Sequence, residues 1–370
     1  MIEAGGRVRV GLGLITAEVP PGSRRTAAAE YSDTLRIAER AEQLSFDSLW
    51  TSEHHGVSDG YLPASLVLLS AIAAVTGRIR LGTGIVVAPV HDPLRLAEDA
   101  AVLDLLSGGR LVLGLGLGWR AEEYRMFGVP GRERVARLTD TVHILRRAFT
   151  GQRFSYRGAA HACDEVLITP KPSQPGGPRI LLGGSSPAAI RRAGRLGDGF
   201  IRSRRDGNAE LTRDVEAALA GAAEAGRDPG DFDLVLLQNV GLADRHAPDR
   251  ADRIRAALSY QLGMYAALHA GDDTPGHGFR ARPVGPATVE GSALWGTPQQ
   301  VAAGLAGLVS AARGSAPRAS APRAARRVEL VVRLGYPGLD LRDSLRLLEV
   351  FSGDVLPRLS DALLSEERSK

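Results

Sequence analysis

Eight short runs of almost unbroken apolar residues, each followed by a helix-like stretch, constrain this chain more than any other feature. They are RVRVGLGLI (7–15), FDSLW (46–50), RIRLGTGIVV (78–87), RLVLGLGLG (110–118), RILLGG (179–184), DGFI (198–201), DLVLLQNVGLA (233–243) and VELVVRLG (328–335). Helix patterns fall at 31–44, 63–75, 94–106, 132–149, 185–197, 209–225, 249–270, 298–312 and 341–359. In the first of these Leu35, Ala38, Ala41 and Leu44 recur at three-residue steps, as one helix face does. Pro63 opens its helix where a missing N–H costs nothing, and Ser185 or Ser186 can cap the helix that Pro187 begins. Strands that are apolar throughout belong to a parallel sheet covered on its outer face. Eight of them close a barrel. An open doubly wound sheet would be marked by a dinucleotide fingerprint after the first strand, and GLGLITAEVP does not carry one. The sequence therefore predicts an α/β fold, a (β/α)8 TIM barrel with insertions, as one domain over residues 1–370.

Composition narrows the function classes. The single cysteine, Cys163, excludes a disulfide framework and multi-cysteine metal centres. Lys+Arg is 46 against 42 Asp+Glu, a net charge of 46 − 42 = +4. Only Lys171 and Lys370 are lysines, so arginine supplies 46 − 2 = 44 of the cations. With the abundant alanine and glycine this reads as coding bias, and no nucleic-acid partner is expected. The stretch RGSAPRASAPRAARR (313–327) has no apolar periodicity and reads as a flexible insertion. No apolar run reaches membrane-spanning length, and MIEAGGRVRVGLGLI lacks the long apolar stretch of a signal peptide. A soluble, cytoplasmic protein with no membrane partner is the expectation.

In a barrel, chemistry sits where strands end in the loops that follow. TSEHHG (51–56), GIVVAPVHD (84–92), GLGLGWRAEEY (114–124) and GGSS (183–186) occupy such positions. Glu53, His54 and His55 directly follow the second strand. Neighbouring side chains leaving a strand point to opposite faces, and no second cluster has chelating spacing, so no metal site is expected. Acid–base work fits better: an imidazole moves protons near neutral pH and an adjacent carboxylate holds its tautomer. A histidine merely packed under the loop is the plain alternative. The alternating glycines of GLGLG (114–118) leave room for something flat against the backbone, or simply allow tight barrel packing. Gly183, Gly184, Ser185 and Ser186 expose backbone N–H groups to an anion such as a cofactor phosphate, or form an ordinary helix cap. Walker, G-x-S-x-G and HExxH motifs are absent. Segments 120–131, 151–178 and 271–296 would wall the substrate pocket, and with aromatics at 5 % an aliphatic or mixed lining is expected over an aromatic cage.

FDSLWTSEHHG, IRLGTGIVVAPVHDPLRLAEDAAVLDLLSGGRLVLGLGLGW, EEYRMFGV, ILLGGSSPAAIRRAGRLGDGF and LEVFSGDVLPRL resemble, in that order, the bacterial luciferase-like superfamily of flavin and deazaflavin oxidoreductases. The resemblance implies a (β/α)8 barrel with a reduced flavin at its C-terminal mouth, where relatives form a shielded hydroperoxide with O2. It puts the family's EHH motif on Glu53, His54 and His55, with His54 as the acid–base residue. Thr83, Gly84 and Ile85 fall where relatives carry a cis peptide against the flavin ring. Gly116, Leu117 and Gly118 fall on the cofactor side of the fourth strand. Two positions depart from luciferase itself. Leu117 replaces its phosphate-binding arginine, and Gly184 replaces the acidic residue of its phosphate loop, while Ser185 is kept. Phosphate recognition would then use backbone N–H groups of Gly184 to Ser186 and a nearby arginine such as Arg120.

The resemblance implies an oxidoreductase with two main alternatives. One is a monooxygenase using reduced FMN, O2 and a small-molecule substrate, served by a separate flavin reductase. The other is a deazaflavin (coenzyme F420) oxidoreductase transferring hydride without O2. A non-catalytic partner barrel is the third. Relatives commonly pair through outer helices, so a homodimer through 63–75 or 94–106 is expected.

Overall fold

The eight apolar runs form eight parallel strands that hydrogen-bond in a closed ring. The structure, a computed structural model, describes residues 8–203, 207–243, 249–270, 281–314 and 327–368. The strands are β1 (Val8–Ile15), β2 (Ser48–Thr51), β3 (Arg80–Thr83), β4 (Leu111–Gly116), β5 (Arg179–Gly183), β6 (Gly199–Ser203), β7 (Asp233–Leu242) and β8 (Arg327–Arg333). Each pairs in parallel with the next, and β8 returns to β1 through the register Val8↔Val328 to Leu12↔Val332. The closed barrel leaves no exposed edge for another strand to extend.

The ring of helices is α1 (Ala27–Gln43), α2 (Ser65–Val75), α3 (Pro93–Leu106), α4 (Arg134–Ala148), α5 (Pro187–Leu196), α6 (Asn208–Glu224), α7 (Pro298–Gly314) and α8 (Leu341–Val350). Local chemistry starts several of them at the barrel mouth. The side chains of Thr26, Asp92, Ser186 and Asp340 accept N–H bonds from the first turns of α1, α3, α5 and α8. Two cores follow. Trp50, Val112, Leu181, Ile201, Val235 and Val331 fill the barrel interior. A larger shell of Leu, Val, Ile and Ala packs between strands and helices.

Insertions interrupt this plan where the sequence is rich in Pro and Gly. A two-stranded antiparallel hairpin, Phe154–Arg157 with Ala162–Val166, occupies the segment expected as loop. After β7 a long helix, Arg250–His269, lies across the barrel mouth before a short strand, Leu294–Gly296, pairs with the end of β7. The final helix continues from α8 through a π turn at Phe351–Val355 into Leu356–Arg368. Of the expected insertion at 313–327, residues 313–314 end α7 and Arg327 starts β8, while 315–326 lie outside the described residues. No helix among the described residues is long and apolar enough to cross a membrane.

Candidate active site

Two carboxylates and three histidines converge where β2 enters its loop. Glu53 is 3 % exposed, and a single oxygen, Oε1, accepts three N–H bonds. They come from His55 Nε2 at 3.0 Å, His91 Nε2 at 2.8 Å and the Val87 backbone at 3.1 Å. A carboxylate only accepts, so both imidazoles donate through Nε2. Burial pushes the Glu53 carboxyl up, but the hydrogen bonds and charge of His55 and His91 outweigh it and bring it down to about 2. Burial likewise pushes the His91 imidazole down, and its bond to Glu53 more than reverses this.

His54 turns to a different carboxylate. Its Nδ1 donates to Glu123 Oε1 at 2.8 Å, and the His55 backbone N–H reaches the same oxygen at 3.0 Å. Its own backbone N–H is held by the Leu62 carbonyl at 3.1 Å. Glu123 comes from a short helix, Ala121–Met126, which forms within the expected loop after β4. A carboxylate on Nδ1 fixes the ring and leaves Nε2 as the basic nitrogen of the neutral tautomer. This is the arrangement of an oriented general base.

The residues expected to meet a cofactor divide into three groups. The Gly84–Ile85 peptide is cis, at the position the resemblance implies. Thr83 is fully buried, and its hydroxyl bonds both the N–H and the carbonyl of Gly114 at 2.8 Å, bracing β3 to β4. The glycines make room for protein, not directly for a ligand. A Cβ at Gly116 or Gly183 would meet the Ile85 side chain at 2.8 and 3.0 Å. At Gly118 (φ +72°) it would meet Val87, and at Gly114 the Thr83 carbonyl. Ile85, thus admitted, joins Leu14 and Leu237 as a half-buried apolar layer on top of the interior core. At the rim, Ser186 caps α5 through Ala189 N, and a Cβ at Gly184 would meet Ala189 at 2.6 Å. Ser185 is exposed beside it, and the Leu117 carbonyl accepts the Tyr124 hydroxyl. Arg120 does not reach this rim. It is 2 % exposed and donates to the His55 carbonyl at 2.6 Å, so its guanidinium braces the histidine loop.

The mouth thus combines a half-buried apolar layer of Leu14, Ile85 and Leu237 with an imidazole oriented by a buried carboxylate. Among the described residues one cluster also has metal-ligating geometry, Glu53 with His55 and His91. Sequence spacing did not reveal it because His91 arrives from the next loop. The three groups already satisfy one another by hydrogen bonds, which accounts for the cluster as a brace.

The helix Arg250–His269 roofs this space through polar contacts. Tyr260 donates to Asp59 at 2.8 Å, and the Tyr265 and Tyr61 hydroxyls meet at 2.9 Å. Gln261 lies between Glu18 and Arg333, whose guanidinium also holds the Leu14 carbonyl and Thr16. Burial pushes the Glu18 carboxyl up against the opposing charge of Arg333. Burial also raises the Tyr61 and Tyr265 hydroxyls, which therefore keep their protons. Sequence reasoning had singled out none of Glu123, His91, Tyr61 and Tyr265. The first two lie in quoted strand-end segments; the tyrosines carried no local signal.

Comparison with known proteins follows the same lines. The sequence profile of the luciferase-like monooxygenase family matches residues 7–313. The F420-dependent glucose-6-phosphate dehydrogenase of Beutenbergia cavernae is 34 % identical over 238 residues, 62 % of this chain and 68 % of that one. The F420-dependent hydroxymycolic acid dehydrogenase of Mycobacterium tuberculosis is 36 % identical over 200 residues, 52 % of this chain and 54 % of that one. The crystal structure of monooxygenase RslO1 from Streptomyces bottropensis superposes with a TM-score of 0.77 at 26 % identity, covering 94 % of this chain and 99 % of that one.

Proposed function

The chain belongs to the luciferase-like monooxygenase family, and from that premise we propose that it is a deazaflavin (F420)-dependent oxidoreductase that takes hydride from an alcohol. The observation that carries this reading is the buried His54–Glu123 pair at the barrel mouth. Removing hydride from a carbinol carbon requires that the hydroxyl proton leave, and an imidazole oriented by a carboxylate is built to take it. Names of relatives that use F420 as dehydrogenases support the same direction.

When bound, a deazaflavin supplies the hydride acceptor. The chain supplies everything else. Ile85, Leu14 and Leu237 offer an apolar surface for a flat ring, and Gly184 to Ser186 present the start of α5 towards an anionic tail. His54 Nε2 receives the substrate proton while Glu123 holds Nδ1 and stabilises the imidazolium that results. The helix Arg250–His269 keeps water from the reacting carbon.

A second reading, a monooxygenase using reduced FMN from a separate reductase, is favoured by one observation. The likeness to monooxygenase RslO1 extends over nearly the whole of both chains. Anaerobic titration with F420 and with reduced FMN, each followed optically, separates the two. Selective F420 binding, with bleaching of its visible band when an alcohol is added, is the expected result. Tight binding of reduced FMN, with a transient absorbing species on mixing with O2, would replace the first reading by the second. Binding of neither would leave only the fold.

A further inference from the structure

Glu53, His55 and His91 bring three ligand-type atoms to one point beside the mouth. Glu53 Oε1, His55 Nε2 and His91 Nε2 all lie within 4.8 Å of one another. The two edges that meet at the oxygen measure 3.0 and 2.8 Å. Ligands of a tetrahedral zinc ion stand about 2.0–2.1 Å from the metal, and so about 3.3 Å from each other. Those two edges need open by only a few tenths of an ångström to admit one.

The hydrogen bonding itself is crowded. A carboxylate oxygen offers two lone pairs, yet Oε1 takes three N–H donors, the third from the Val87 backbone at 3.1 Å. A cation standing between the two imidazoles and the oxygen would replace two of those donors and leave the third. Two nitrogens and one carboxylate oxygen suit a zinc-type transition cation, whereas magnesium and calcium take oxygen ligands. The His91 side chain is 31 % exposed against 8 % for His55 and 2 % for Glu53, so solvent reaches the cluster through His91 and can furnish a fourth ligand. The Val87 N–H would stay on Oε1 as outer support, and the Phe127 ring covers His55 edge-on at 4.8 Å. Arg120 and Arg137 approach these loops but donate to the His55 and Pro89 carbonyls, and among the described residues no arginine hydrogen-bonds to Glu53.

We propose that Glu53, His55 and His91 bind one zinc-type divalent cation, with water as the fourth ligand, and so clamp the loop after β2 to the loop after β3. The ion takes the place of the two Nε2 protons. A neutral ring then carries its proton on Nδ1, and a charged ring releases one proton to solvent. The site stands apart from the hydride chemistry proposed above, so its test needs neither cofactor nor turnover.

The experiment is calorimetric titration of the untagged full chain with zinc chloride, after dialysis against a chelator, beside H91N, E53Q and H143A. H91N keeps an N–H donor towards Glu53 but loses the imidazole ligand, and H143A removes a histidine outside the cluster. The wild type should take up one zinc per chain, and its Tm should rise by about 2–4 °C at a hundredfold excess over the dissociation constant. H91N and E53Q should weaken binding about 100-fold or more, and H143A should leave it unchanged. An H91N chain that melts with the metal-free wild type shows that its lost affinity reports ligation and not misfolding. Cobalt(II) added to the wild type should give the intense visible bands of a tetrahedral site, a readout that holds even where a variant folds poorly. No zinc uptake by the wild type, weak octahedral cobalt bands, or undiminished binding by folded H91N would each overturn the proposal.

Discussion

The two ends of the barrel bury similar carboxylates but give them different partners. At the N-terminal end, Glu329 accepts Trp50 Nε1 at 2.8 Å and Arg80 at 2.9 Å, and Ser48 donates to it as well. Asp233 pairs with Arg179 at 2.6 Å, with Arg327 at 4.0 Å. At the mouth, Glu53 and Glu123 receive hydrogen bonds from histidines, and the Arg120 guanidinium stands 3.8 Å from Glu123. Arginine cannot lose its proton in a protein, so the lower networks hold fixed charge and serve only to join strands. Imidazole can gain and lose one, so the upper networks are able to do work on a substrate. The partner, more than the carboxylate, decides whether a buried ion pair is a fastener or a reagent.

Removing one group from each end should separate these roles. H54N should lower turnover by about two to four orders of magnitude with a smaller loss of stability than E329A, since the amide keeps an N–H donor towards the buried Glu123 while removing the base. E329A should do the reverse. Its unpaired neighbours would cost about 3–5 kcal/mol in denaturant unfolding, while turnover per folded molecule stays unchanged. Lost turnover in E329A under folded conditions would mean the two ends are coupled.

Acid titration sharpens the contrast through opposite signs. Glu53 is held below its ordinary value of 4.5, at about 2, so its contribution is fully present above pH 4.5 and is lost as pH falls towards 2. At about 1.4 kcal/mol per unit this is worth about 3 kcal/mol, and E53Q should flatten that acid limb of the stability curve. Asp233 is raised above its ordinary 3.8, because burial outweighs the attraction of Arg179, Arg80 and Arg327. Its contribution therefore weakens as pH rises from 3.8 through its folded value, and D233N should remove a slope of the opposite sign. Unfolding free energy measured against pH for both variants decides the matter.

The smallest effects concern glycines. G82A would place a Cβ 2.3 Å from the Trp50 ring, deep in the interior, and should cost about 1–3 kcal/mol or more of stability. G116A would press on Ile85 at 2.8 Å, where the side chain can yield towards the mouth. It should cost less stability yet weaken cofactor binding in an equilibrium titration. Equal effects on both readouts would mean that Ile85 is not part of the cofactor surface.

These contrasts also explain what the sequence revealed. The strands were legible because residues such as Leu111 to Gly116 are buried on both faces, a one-dimensional pattern. A helix start was legible where a cap and a proline coincide, at Ser186–Pro187, whereas Pro63 lies just before the Ala64 cap of α2 and does not open the helix. Glu53 and His54 stood out because both sit together at a strand end. Their partners did not, since Glu123 and His91 are brought in by other loops and only folding makes them neighbours. The hairpin Phe154–Arg157 with Ala162–Val166 escaped notice because its strands alternate half-buried and exposed positions and lack an apolar run. The glycines of GLGLG were read as room for something flat or as tight barrel packing; the space is filled by Thr83, Ile85 and Val87 from the neighbouring β3 and its loop, which no local rule announces.

The helix across the mouth is attached in two different ways. Towards β1, β2 and β8 it is tied by hydrogen bonds from Tyr260, Gln261 and Tyr265, which fix both distance and direction. Towards β4 it rests on Trp119 through stacked and tilted rings, contacts that tolerate sliding. If the helix loosens, its Trp119 margin should yield before its hydrogen-bonded one, and faster amide hydrogen exchange near His269 than near Tyr260 would show it.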